Sequence, residues 1–150
     1  MPDQTASLTD FLRNFAYLKG PLFEGWFRVD RTEGLRGDCG AFAWTTLCLL
    51  EGGTVPALKA VAKGHVQFWR VKSPVNGRWP RHVMLLDRRT GLVIDSTYPR
   101  KWRAGESPHK AKWRIRLPWV LVYVAWATLP GKMLIGGGGV FGFLNAWRLW

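Results

Sequence analysis

Cysteine is nearly absent from this chain: Cys39 and Cys48 are the only two. That excludes a disulfide scaffold. Nine positions apart on one straight helix, the two sulfurs would be about 13 Å apart at about 1.5 Å rise per residue, beyond disulfide reach. Both thiols are therefore expected to be free, which suits a reducing compartment or a site that needs one of them. Long apolar runs are missing too. The longest, Leu117 to Leu129, is shorter than the roughly 20 residues that span a bilayer, so no transmembrane segment is expected. Met1 to Thr5 carries neither a basic nor an apolar leader pattern, and no signal peptide is expected. Acidic residues are scarce: 10 Asp and Glu against 22 Lys and Arg give a formal charge of +12. The imbalance predicts attraction to polyanions such as nucleic acid, anionic lipid or acidic cell-wall polymers. Cysteine and histidine show no metal-ligand spacing. The four glycines Gly136 to Gly139 lack the Lys-Ser/Thr that would make them a phosphate loop. No metal and no cofactor is called for.

With 150 residues, 47% hydrophobic and 21% charged, the chain reads as one folded domain over 1–130 with a core of its own. A Gly-rich apolar arm over 131–150 follows it. Val140, Phe141, Phe143, Leu144, Trp147, Leu149 and Trp150 make that arm a docking element, against the domain itself or an assembly partner.

Along the domain, Leu8, Phe11, Leu12, Phe15 and Leu18 form one helical stripe. Ser7 is placed to cap that helix, and Gly20-Pro21 to stop it. Leu22 to Val29 reads as extended, and Asp30 to Gly37 as a loop. From Cys39 to about Leu50 the chain is apolar on almost every side, so a central buried helix is expected, ended by Gly52-Gly53. Val55 to Lys63 reads as a short helix. Strands are expected at His65 to Lys72, Arg81 to Leu86, Leu92 to Ser96, Trp113 to Leu117 and Trp119 to Ala127. Ser73 to Gly77 reads as a turn and Pro99 to Ala111 as a basic loop. Helices followed by antiparallel strands make an α+β fold, with the Cys39 helix packed on the sheet.

That helix begins Gly37-Asp38-Cys39-Gly40. A cysteine at a helix start faces unpaired backbone N–H groups and the positive end of the macrodipole, which favour a thiolate. Asp38 is the expected cap. Of three histidines, His82 opens a strand whose successor carries Asp95. If Arg88 to Gly91 form a four-residue hairpin loop, Asp87 lies opposite Leu92 and Met84 opposite Asp95. His82 is then the diagonal neighbour of Asp95, within reach of a carboxylate, and a slip of one residue would separate the two. Cys39, His82 and Asp95 together have the chemistry of a nucleophile, its base and the group that orients the base. Cys48 reads as core, His65 and His109 as solvated, and Asp87 as a turn residue.

Gly37 to Ala43 resembles the nucleophile helix of transglutaminase-like and other papain-like cysteine peptidases. Arg81 to Leu86 and Gly91 to Pro99 resemble that superfamily's His and Asp strands, most closely those of bacterial transglutaminase-like cysteine proteinases. The NlpC/P60 cell-wall peptidases share a similar helix and His strand. The resemblance covers about Gly37 to Pro99 and implies a papain-like core with Cys39, His82 and Asp95 catalytic. It implies cleavage of an amide or isopeptide bond through a thioester, in a protein or peptidoglycan peptide. No convincing upstream glutamine or other side-chain oxyanion donor is found near Cys39. A small basic enzyme without a leader suits a cytoplasmic or virion-associated, phage-encoded cell-wall hydrolase. The competing expectation is a non-catalytic virion or tail component on the same scaffold. Nucleic-acid binding ranks last, because charge alone supports it.

Overall fold

In the computed structural model, which describes residues 4–17, 26, 28–29, 35–72, 82–96, 101–103, 106 and 110–128, the apolar run behind Asp38 is the helix around which the other elements pack. The elements, in chain order, are α1 (Gln4–Asn14), β1 (Ala16–Tyr17), β2 (Arg36–Gly37), α2 (Cys39–Glu51), α3 (Thr54–Ala62), β3 (Val66–Lys72), β4 (His82–Asp87), β5 (Leu92–Ile94), β6 (Lys101–Arg103), β7 (Lys110–Ile115) and α4 (Leu117–Thr128). Every residue of α2 from Cys39 to Cys48 is buried. Gly52, at φ 80° and ψ 20°, closes the helix, and the Gly53 N–H donates to the Cys48 carbonyl at 2.8 Å.

Five strands form one sheet in the order β6-β5-β4-β3-β7, and each neighbouring pair is antiparallel. Helices packed against an antiparallel sheet make the fold α+β. Phe68, Leu85 and Ile94 line up across β3, β4 and β5. All three join Phe42, Leu47, Ala57, Val61, Ile115, Val120 and Val124 in the main core. The alternate residues Val71, Met84 and Val93 form a smaller cluster of their own, as a side-chain period of two requires. Phe11 and Phe15 of the α1 segment reach Phe42, with ring centroids 5.5 and 4.7 Å away. Thr45, buried in the apolar helix, keeps its hydroxyl satisfied by accepting from the Val29 N–H at 2.8 Å.

Three sequence expectations need correction. Trp119 to Ala127 is helix, not strand. Its β-branched and aromatic content favours a strand, but Val120 and Val124 are buried four residues apart, with Tyr123 packed beside them. That is a helical spacing, and Pro118 falls in the first turn, where its missing N–H costs nothing. The first helix starts at Gln4, so Ser7 lies inside it rather than capping it. It also ends early, at Asn14, whose side-chain amide donates to the Asp10 carbonyl at 3.0 Å; the chain then turns into β1. The third correction concerns two expected loops: Asp30 to Gly37 ends in strand β2, and Pro99 to Ala111 contains edge strand β6 and the start of β7. Gly20-Pro21, the turn at 73–77, His109 and the arm at 131–150 lie outside the described residues, as does most of 22–29.

Candidate active site

The start of α2 is held from several directions. Asp38, extended at φ −84° and ψ −176°, accepts the Ala41 N–H on Oδ1 at 2.8 Å, and its carbonyl accepts the Phe42 N–H at 3.0 Å. Asp38 is thus the helix cap and not a free acid. One residue later, Cys39 occupies the first helical position, 9% exposed, with the partial positive charge of the helix end around its sulfur. Gly40 follows it beneath the Trp26 indole. A Cβ there would lie 2.2 Å from Trp26 Nε1 and 2.4 Å from its Cδ1. Trp26 is itself fixed by stacking on Tyr123 at 4.8 Å and by donating its backbone N–H to the Tyr123 carbonyl at 3.0 Å.

His82 and Asp95 come together through hairpin register. The pairs are Asp87 with Leu92, Leu86 with Val93 and Leu85 with Ile94. That is the ladder a four-residue loop produces, and Asp95 follows its last pair by one residue. His82 Nε2 is 2.8 Å from Asp95 Oδ1, and both side chains are buried. Burial alone would push the His82 pKa down. The hydrogen bond to Asp95 and the one to Cys39, reinforced by the charges of both partners, outweigh it and raise the pKa to about 9. With Nε2 engaged by Asp95, Nδ1 is the nitrogen left to serve the sulfur. The three residues singled out from sequence thus meet in one place.

Two neighbours of this site were not legible in the sequence. Trp26 left only an indirect sign, the small residue at position 40. Tyr17 left none, because only the parallel pairing of β1 with β2 brings it near. Burial, then the charges of Cys39 and Asp38, raise the Tyr17 pKa, so its phenol shares the electrostatic surroundings of the sulfur.

Other ionisable residues stay apart. Cys48 is fully buried, and burial pushes its thiol pKa up against a hydrogen bond to Thr54 and the charge of Arg28. His65 is exposed. Asp87 accepts from the Arg89 N–H at 2.9 Å and from its Nε at 3.0 Å, while Arg89 also pairs with Glu51. Among the described residues, no three His, Cys, Asp or Glu side chains form a group that could hold a metal ion. None of their helices is long and apolar enough to cross a membrane. No family model, curated protein or solved structure matches the chain.

Proposed function

We propose that this chain is a cysteine peptidase or amidase on a papain-like, transglutaminase-like core, with Cys39 as nucleophile, His82 as general base and acid, and Asp95 as the carboxylate that orients the ring. The observation that carries this reading is the buried His82–Asp95 contact at 2.8 Å, made by a histidine that also hydrogen-bonds Cys39 at the head of α2. His82 Nδ1 takes the thiol proton, and Asp95 fixes the tautomer and stabilises the imidazolium. The thiolate attacks the substrate carbonyl carbon, and the carbonyl π pair moves to oxygen. As that pair returns, the C–N bond breaks, and the amine leaves with the proton from His82. A thioester remains on Cys39. Water, losing a proton to His82, then releases the acid and regenerates the thiol.

The formal charge of +12 suits an acidic protein or a peptidoglycan peptide as substrate. The test is alkylation by iodoacetamide at neutral pH, with the labelled residue identified by peptide mass. Cys39 should react faster than glutathione, and Cys39→Ala should abolish hydrolysis of a cell-wall or protein substrate while leaving the fold intact.

A second reading, a non-catalytic assembly component on the same scaffold, draws on a separate observation. Trp113, Trp119, Leu121 and Val122, on β7 and α4, are 53%, 48%, 44% and 51% exposed, and large apolar side chains turned to solvent serve assembly contacts where they lie together. Alkylation of Cys39 no faster than that of glutathione would favour this second reading over the first.

A further inference from the structure

A thiolate attacking a carbonyl needs donors for the oxygen that becomes negative. The first turn of α2 offers backbone N–H groups, and the one upstream glutamine, Gln4, opens α1, 35 residues before Cys39. β1 brings a different donor. Its Cα partners are Ala16 with Arg36 and Tyr17 with Gly37, and the Ala16 N–H donates to the Leu35 carbonyl at 3.0 Å. This ladder lays Tyr17 beside the buried Gly37, two residues ahead of Cys39. Tyr17 is 47% exposed and Cys39 9%, so the phenol is open to solvent where the sulfur is nearly covered. Partial burial and the charges of Cys39 and Asp38 raise its pKa. The hydroxyl therefore keeps its proton at neutral pH and acts as a donor.

We propose that Tyr17 Oη donates the side-chain hydrogen bond that stabilises the tetrahedral oxyanion formed on Cys39, with the Cys39 backbone N–H as the second donor. The proposal rests on Cys39 being the nucleophile. No proton moves from Tyr17. The carbonyl π pair shifts to oxygen as the S–C bond forms and is held there by the two donors. It returns as the C–N bond breaks, and His82 supplies the proton to the departing amine.

Two reagents separate this role from any effect on the thiolate. Iodoacetamide alkylates by direct displacement at carbon, with no oxyanion, whereas p-nitrophenyl acetate acylates through one. In Tyr17→Phe, acylation of Cys39 in the full-length protein should fall about 10²-fold, the usual effect of losing one oxyanion donor. Its alkylation rate should stay within about twofold of wild type. Unchanged acylation would overturn the proposal. An equal fall in both rates would also overturn it, since it would place Tyr17 in thiolate formation or folding instead. If wild-type Cys39 alkylates no faster than glutathione, the nucleophile reading itself fails, an outcome visible before any Tyr17 variant is compared.

Discussion

His82 Nε2 lies 2.8 Å from Asp95 Oδ1, with both side chains 1% exposed. A ring held this way has one nitrogen committed to a carboxylate, and its protonation depends on that carboxylate's charge. Asp95→Asn keeps the shape and removes the charge. Burial, which opposes the imidazolium, then meets less resistance, and the His82 pKa should drop well below about 9. Hydrolysis should fall about 10²-fold with it. Titration of the His82 ring protons by NMR checks the first claim, and an unchanged midpoint would refute it.

The same raised pKa sets a stability profile. A histidine whose folded pKa exceeds its unfolded value of about 6.5 stabilises the fold most fully below that value. The contribution is lost as pH rises from about 6.5 through about 9. Urea unfolding of wild type should therefore show a midpoint that declines across this window more steeply than that of His82→Gln. Parallel declines in the two proteins would mean that His82 carries no such shift. On the proposed mechanism, hydrolysis should have an alkaline limb in the same range, because expulsion of the amine would use the imidazolium proton.

How much of this was legible in the sequence depended on how local the information was. Cys39 at a helix start, capped by Asp38, could be read from neighbouring residues alone. The meeting of His82 with Asp95 needed only a hairpin whose loop length sets its register, so counting from Asp87 and Leu92 was enough. Trp119 to Ala127 was misread because Val, Leu and Trp pack equally well on a pleat or a helix stripe. What decides is burial of Val120 and Val124 against elements far away in sequence. Tyr17 was invisible for a similar reason: its partner Gly37 lies twenty residues on, across a connection that no local pattern orders.

Arg89 is where the hairpin invests charge away from the site. It donates to Asp87 and pairs with Glu51, and its hydrogen bonds hold the Asp87 carboxyl below the usual range despite partial burial. Yet the Arg89 side chain is 41% exposed, so solvent screens much of the attraction. Arg89→Ala should cost about 1 kcal/mol or less. Asp87 and His82 are opposite ends of β4, separated by roughly 17 Å of strand. Alkylation of Cys39 should consequently match wild type. A large loss of stability in urea, or a change in thiol reactivity, would show that the loop transmits strain to the register.

Gly40 is the position where a single methyl group tests the packing behind Cys39. A Cβ added to it would fall 2.2 and 2.4 Å from two atoms of the Trp26 indole, closer than Cβ contacts allow, and 3.1 Å from a third. The ring has little room to retreat, being 3% exposed, stacked on Tyr123 and tilted against Phe68 at 4.7 Å. Gly40→Ala gains helix propensity worth about 1 kcal/mol, but overpacking costs typically about 1–3 kcal/mol. A net loss of stability is therefore expected. Because Gly40 adjoins Cys39, displacement of the first turn should also slow alkylation. Trp26→Leu in the same chain removes the obstructing ring edge, so the double variant should lose less than the two single variants together in a urea-unfolding cycle. Strict additivity would mean that the methyl and the indole never compete for this space.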